Sequence, residues 1–368
     1  MRKDSIYDIK EIGFIPPRYG GVSVSIDRLI RQLTDDGFVV GGFYTSENKD
    51  RSIIQSKLFE PELDLSIKHI FFRLPGYLRL LKQYRILHSH YSLEHMYYIW
   101  CFLHLLHKKV VITVHNSMIS SHYNNGHRIN RWFLKKVANN KNVTWIAVSE
   151  QAKEGMLGLP VTFKQPIHVI PAYIPDVRVE QGSLSAPLYD YLVLHNRNIV
   201  FYGHSFMTHD GKDIYGFRDA LTMYSRVLER PDISTTGFIL CLAEDNDVQK
   251  IKELHEIASE LGIDDKVYWQ IGPIKKMNAL WEKADVYVRP TCTDGDSVAV
   301  REALDMGVRV VASDVCVRPT ETVTYEYGNM DAFVNEVVIA LSKGKGDIAP
   351  DFSNYEAIKR IYIELLKK

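Results

Sequence analysis

A chain of 368 residues, 46% hydrophobic and 24% charged, can bury a large core and is long enough for two domains, which argues against a disordered chain. Its four cysteines, Cys101, Cys241, Cys292 and Cys316, show no CxxC or other ligand spacing, which excludes a disulfide scaffold or a zinc module and fits reduced thiols. Formal net charge is zero but unevenly spread: residues 1–175 hold 23 Lys and Arg against 14 Asp and Glu, the rest 22 against 31, so the first half suits an anionic partner better than the second.

The start of the chain is a mixed polar stretch with no apolar leader core, which gives the expectation of a cytoplasmic protein. Residues 9–15 predict a strand, followed by the loop Pro16-Pro17-Arg18-Tyr19-Gly20-Gly21. A helix comes next, with apolar positions Val22, Ile26, Leu29, Ile30 and Leu33 and a closing Gly37. Further strands are predicted over 38–43, 85–88, 110–114, 143–148 and 168–170. Between them, residues 68–85 mix Phe71, Phe72, Leu74, Leu78, Leu80 and Leu81 with Lys68, Arg73, Arg79, Lys82 and Arg85. Such a basic amphipathic stretch could lie on an anionic membrane surface, or pack on its own domain with a basic outer face. The apolar run at 97–106 is far short of the ~20 residues that span a bilayer and reads as a buried helix. Residues 171–198 lack periodicity and read as a connection with one short helix. The alternation then restarts, with strands over 199–202, 236–242, 267–271, 286–288 and 308–312, and residues 355–367 form an amphipathic helix.

Apolar strands separated by helices mean parallel sheets covered on both faces. The expected fold class is therefore α/β, with two Rossmann-like doubly wound domains over 1–175 and 176–352. A C-terminal helix over 353–368 could cross back to the first domain. Ligands of such sheets sit at the carboxyl ends of the strands, and with two sheets the natural place is the cleft between them.

The segment 289–307 carries the most chemistry. A loop after the strand at 286–288 holds Asp294, Gly295 and Asp296, and a helix over about 297–306 ends at Gly307. Asp296 is expected as its N-cap. Free amides at Ser297 and Val298 make an anion site fit for a diphosphate, and Asp294 and Glu302 can accept hydroxyls at two ends of one extended ligand. Asp294-Gly295-Asp296 also spells the Asp-x-Asp metal signature, but the doubly wound pattern and the capping use of Asp296 argue against that reading.

This segment resembles the E-x7-E region of the retaining glycosyltransferases of family 4, with Asp294 in place of the first glutamate and Glu302 as the second. The resemblance extends, in order, through 16–22, Thr113-Val114-His115-Asn116, 147–150, 169–174 and 308–314. It implies a GT-B architecture, a nucleotide-sugar donor held mainly by the second domain, an acceptor held mainly by the first, and no metal or other cofactor. Carried over residue by residue, Glu302 would accept from the donor ribose and Asp294 would face the donor sugar. The amides near Gly295, Asp296, Ser297 and Val298 would hold sugar hydroxyls and phosphate, and Gly20 and Gly21 would allow close backbone approach. His115 would stand near donor sugar and acceptor, with His90, Asn116 and Ser149 as weaker candidates at other strand ends. The family places an Arg and a Lys after the first strand of the second domain. Lys212 fits the lysine, whereas His204 stands at the arginine position, and Arg289 is a candidate to compensate.

The implied function is transfer of a sugar, with retention of configuration, to a hydroxyl of a saccharide or lipid-linked saccharide in polysaccharide or glycoconjugate biosynthesis. The catalytic set would be Asp294, Glu302, His115 and Lys212, and the cytoplasmic protein could touch an anionic membrane. The alternatives are a nucleotide-sugar epimerase or hydrolase of the same fold, or an inactive nucleotide-sugar-binding assembly subunit. A nicotinamide dehydrogenase lacks its G-x-G-x-x-G, and the acidic second half gives no footing for nucleic acid.

Overall fold

A computed structural model describes residues 7–13, 21–43, 59–60, 82–90, 93, 96–115, 119–176, 184–233, 235–243, 247–274, 277–294 and 297–367. Contacts divide the chain into two units, Met1–Ile174 with Phe352–Lys368, and Pro175–Asp351.

In the first unit, strands β1 (Tyr7–Ile12), β2 (Val40–Phe43), β3 (Phe59–Glu60), β4 (Tyr84–His90), β5 (Lys109–Val114), β6 (Val143–Ala147) and β7 (Ile167–Val169) form one sheet in the order β3-β2-β1-β4-β5-β6-β7. Every pairing is parallel. The helices are α1 (Gly21–Asp35), α2 (Met96–Leu106), α3 (Ile119–Asn125), α4 (Arg128–Ala138) and α5 (Glu150–Leu157). Side chains alternate across the sheet, so Val110 and Ile112 enter the core on one face while Val111 enters the other. That second face is covered by Ile26, Leu29, Ile30 and Leu33 of α1, the 3.6-period stripe read in the sequence.

The second unit contains α6 (Ala186–Leu194), β8 (Arg197–Gly203), β9 (Thr208–His209), β10 (Lys212–Asp213), α7 (Phe217–Leu228), β11 (Thr236–Leu242), α8 (Val248–Glu260), β12 (Val267–Ile271), α9 (Met277–Lys283), β13 (Val286–Arg289), α10 (Val298–Asp305), β14 (Arg309–Ser313), β15 (Val323–Tyr325) and α11 (Met330–Lys343). Its sheet is parallel, in the order β12-β11-β8-β13-β14-β15, and β9 and β10 form a separate antiparallel hairpin. The last helix, α12 (Ser353–Lys367), belongs to the first unit, where Tyr355, Ile358 and Tyr362 pack with α1 and the sheet.

In each sheet the order runs outward in both directions from the unit's first strand, the doubly wound order of dinucleotide-binding folds. The topological switch points therefore lie between β1 and β4 and between β8 and β13. Observed strand limits differ from the predicted ones by a residue or two. The exceptions are β3, β9, β10 and β15, two- and three-residue strands too short to carry a periodic signal. Residues 14–15 of the predicted first strand lie outside the described residues.

Candidate active site

At the switch point of the second unit, β8 ends at Gly203 and is followed by half-buried His204 and the β9–β10 hairpin. The hairpin turns through Asp210 and Gly211, both with positive φ (49° and 76°). Asp213 accepts from the amides of Tyr215 (2.9 Å) and Phe217 (2.7 Å), satisfying donors at the start of α7. Gly216 (φ 74°) would place a Cβ 2.4 Å from the Pro290 carbonyl oxygen, so only glycine lets this loop meet the one after β13. The Cys292 amide donates to the Ile214 carbonyl at 3.1 Å and ties the two loops. Lys212 is exposed on β10, with Nζ 5.4 Å from the ring centre of Tyr327, just past β15.

Beside it lies a charge cluster that the sequence did not reveal. Arg289 Nε donates to Asp294 Oδ2 at 2.5 Å and Nη2 to Oδ1 at 3.0 Å, a two-pronged pair. Arg318 Nη1 donates to the same Oδ2 at 2.5 Å, its Nη2 to Thr291 Oγ1 at 3.1 Å and its Nε to the Ser313 carbonyl at 3.2 Å. Arg289 Nη1 donates to the Tyr287 hydroxyl at 3.0 Å. Burial alone would raise the Asp294 carboxyl; the charge and hydrogen bonds of Arg289, then of Arg318, outweigh it and hold it below the ordinary value. Among the described residues, two guanidiniums here meet one carboxylate. Both Asp294 oxygens are engaged by arginine, which differs from the expectation of a carboxylate facing the sugar. Arg289 is likewise committed at Nε, Nη1 and Nη2, so it does not stand free to replace the arginine missing at His204.

The helix after this loop starts one residue later than expected. Ser297, not Asp296, is the N-cap of α10, its Oγ accepting from the Val300 amide at 3.4 Å. Gly307 (φ 73°) ends the helix, as predicted. Glu302 is only 9% exposed and accepts from Trp281 Nε1 at 3.4 Å, so it is not a solvated helix-face carboxylate. Gly295 and Asp296 lie outside the described residues.

The first unit holds a second constellation at the carboxyl ends of β1, β4 and β5. His88 Nδ1 lies 2.9 Å from Glu11 Oε2, and His90 Nε2 3.2 Å from the same oxygen. Tyr362 of α12 donates its hydroxyl to Glu11 Oε1 at 2.9 Å, with that hydroxyl 2.5 Å from His88 Nδ1. His88 Nε2 is 2.8 Å from Thr113 Oγ1, and His90 Nδ1 is 2.6 Å from His115 Nε2. Burial would raise Glu11, but the charge of His88 and hydrogen bonds from His88 and His90 pull it down to about 2. Burial first, then the neighbouring His88, lowers His90 to about 4; burial, His90 and His88 hold His115 well below an ordinary imidazole. A small cavity meets these groups, lined also by Ser25, Leu29, Ala172 and Ile358.

Glu11, His88 and His90 have the donor types of a metal site. A tetrahedral zinc with bonds of about 2.0–2.1 Å keeps its ligands roughly 3.3 Å apart. Here His88 Nδ1 and His90 Nε2 stand 2.9 and 3.2 Å from Glu11 Oε2, within hydrogen-bond distance.

Of the predicted site residues, His204 and Lys212 follow β8 and Asp294, Ser297, Val298 and Glu302 follow β13, the two strands that flank the second unit's switch point, and the first unit places His115 against His90. Gly21 opens α1. Ser149 caps α5, accepting from the Ala152 amide, a structural duty. Gly20 and Asn116 lie outside the described residues, as does 68–81 of the basic stretch. Sequence reasoning missed Glu11, Tyr362 and Arg318. Glu11 had a signal, an acid inside an otherwise strand-like run; Arg318, in a loop, had none.

Residues 19–176 match Glycosyltransferase Family 4 and residues 197–343 match Glycosyl transferases group 1. The chain is a GT-B glycosyltransferase. Among solved structures, a glycosyltransferase from Rickettsia africae is similar over 98% of this chain and 99% of its own, with a TM-score of 0.71 at 14% identity. Sucrose-phosphate synthase from Thermosynechococcus elongatus matches over 98% and 99%, with a TM-score of 0.67 at 17% identity. HepE from Anabaena, solved with UDP and glucose, matches over 98% and 96%, with a TM-score of 0.64 at 13% identity. At these identities the likeness is one of fold. No curated protein sequence matches. The boundary between the two family matches falls in the 177–196 connection. Among the described residues of this glycosyltransferase, no helix is long and apolar enough to cross a membrane.

Proposed function

We propose that this glycosyltransferase retains anomeric configuration and moves a hexosyl group from a nucleotide-diphosphate sugar to a hydroxyl of a saccharide or lipid-linked saccharide, without a metal. What supports the reading is the second switch point, where β13 is followed by the Arg289–Asp294–Arg318 cluster and by the helix that carries buried Glu302, and β8 by the hairpin that carries exposed Lys212. Glu302 accepts from the donor ribose. The Ser297 and Val298 amides and Lys212 hold the diphosphate. Asp294 acts through Arg289 and Arg318, fixing them along the loop that receives the sugar.

The acceptor hydroxyl attacks the anomeric carbon from the leaving-group side. A bond forms from that oxygen to the carbon, the bond from the carbon to the diphosphate oxygen breaks, and a phosphate oxygen takes the hydroxyl proton. The protein supplies position and fixed charge. His115 stands by the transferred sugar.

A contact with an anionic membrane fits α4 better than any other described segment. Its outer side carries Ile129 (58% exposed), Trp132 (46% exposed), Arg128, Lys135 and Lys136, with no acid in the helix. This supports a lipid-linked acceptor.

The test is a thermal-shift screen of nucleotide sugars, beginning with UDP-glucose, which is bound in one HepE structure. It is followed by product analysis with acceptor sugars in excess EDTA. The expected result is a donor-dependent rise in melting temperature and a glycoside of the donor's anomeric configuration. Strict metal dependence or an inverted product overturns the mechanism. Donor consumption without acceptor makes the protein an epimerase or hydrolase, and tight donor binding without turnover makes it a binding subunit.

A further inference from the structure

We infer that Glu11 and His90 fix His115 in a single neutral tautomer, with its proton on Nε2 and the Nδ1 lone pair left to accept from a sugar hydroxyl. The inference follows from counting protons along one chain of contacts. An ionised carboxylate only accepts, and Glu11 is buried with His88, His90 and Tyr362 around it. His90 must therefore carry its proton on Nε2, the atom 3.2 Å from Glu11 Oε2. A neutral His90 then presents a bare lone pair at Nδ1. The 2.6 Å contact from that atom to His115 Nε2 requires a proton from His115. A neutral His115 that donates from Nε2 has Nδ1 unprotonated. Among the described residues nothing donates to that nitrogen, and His115 borders the cavity.

The rest of the cluster agrees. His88 Nδ1 faces Glu11 and its Nε2 meets Thr113 Oγ1, which can donate or accept, and Tyr362 donates to the other Glu11 oxygen. Whichever way Thr113 and His88 pair, the ionised Glu11 leaves His90 Nε2 one role, that of donor. Burial keeps both His90 and His115 uncharged near neutrality.

The consequence is selectivity. A nitrogen that can only accept pairs with a hydroxyl donor and repels a carboxylate or phosphate oxygen at the same place. This part rests on the proposal that His115 stands by the transferred sugar. Glu11 and His90 are positioning residues, since they act through His115.

The experiment reads the ring nitrogens of the intact protein, 15N-labelled at histidine, by long-range proton–nitrogen correlation without any donor. Its outcome is therefore independent of the functional proposal. His115 is expected as one Nε2–H tautomer with no titration from pH 8 to about 5.5. An Nδ1–H signal, a mixture, or titration near an ordinary imidazole overturns the inference. So does stoichiometric uptake of added zinc chloride with shifts of His88 and His90, which would make the cluster a metal site. Glu11→Ala should release His90 and give His115 two tautomers. Tyr362→Phe, which spares His90, should leave His115 unchanged. If Glu11→Ala fails to fold, the wild-type spectrum still decides. With a working donor, His115→Phe should lower the preference for that donor over its deoxy analogue at the contacted hydroxyl at least about tenfold. An unchanged preference alongside the expected tautomer retains the proton assignment and overturns the sugar contact.

Discussion

Replacing Asp294 by asparagine tests whether this carboxylate serves the arginines. The change keeps the size of the side chain and removes the one negative charge between two guanidiniums. Solvent screens little of the loss, because Arg289, Arg318 and Asp294 side chains are 10%, 3% and 10% exposed. Removing one member of a buried ion pair costs about 3–5 kcal/mol. In a unit of this size each kcal/mol moves the melting temperature by about 2–4 °C, so the second unit should melt about 6–20 °C lower. The pH dependence has a definite sign. The folded carboxyl lies below its unfolded value, so its stabilisation is full above about pH 4 and disappears as pH falls through the folded value. Scanning calorimetry should therefore show a large gap between wild type and Asp294→Asn at pH 7 and a narrower one at pH 3. Adding Arg318→Met to the variant should restore part of the loss, since it removes one uncompensated guanidinium. Melting temperatures within about 2 °C at pH 7 would refute the ion-pair assignment.

Three further outcomes follow from the site. Glu302→Ala should raise the donor KM and lower turnover; steady-state kinetics with wild-type constants would remove Glu302 from the donor site. Lys212→Ala should lower kcat more than donor affinity and, because the lysine is exposed, leave the melting temperature within about 1 °C. Trp132→Ser should weaken sedimentation with vesicles containing phosphatidylglycerol several-fold and leave transfer to a soluble acceptor intact, whereas equal sedimentation of both proteins would take α4 off the membrane.

Much of the architecture was legible because apolar strands in a parallel sheet must be continuous and helices must be amphipathic. The stripe of α1 and the strand at residues 236–242 show both signals directly. The short strands were not legible, since two residues have no period. The site divided in the same way. Glu302 and Lys212 were singled out by the family resemblance, and the N-cap of α10 was placed one position early, at Asp296, because Asp and Ser cap equally well. The partners of Asp294 were hidden, because Arg318 is 24 residues away and reaches it only once β14 has returned beside β13. Tyr362 reaches Glu11 across 351 residues of sequence for the same reason: apolar helix positions show that a tyrosine is buried, not which acid it meets.

The first unit should be the more sensitive to mild acid, and the reason is the histidine pair. His90 is held neutral, with a folded value near 4 against 6.5 in the open chain. A depressed imidazole binds fewer protons folded than unfolded, so its stabilisation is complete above pH 6.5 and falls as pH drops toward 4. Over that span one such group removes about 3 kcal/mol, and His115, depressed in the same direction, adds to it. Glu11, at about 2, contributes with the same sign only below its unfolded value near 4.5. In the second unit, Asp294 begins to lose its stabilisation only near pH 4. Calorimetry from pH 8 to 5 should then show the transition of the first unit moving down while that of the second stays in place. His90→Gln should flatten the first unit's response over this range. A first-unit transition that holds its temperature from pH 8 to 5 would mean that His90 and His115 take up protons without cost, and that the Glu11 chain does not keep them neutral.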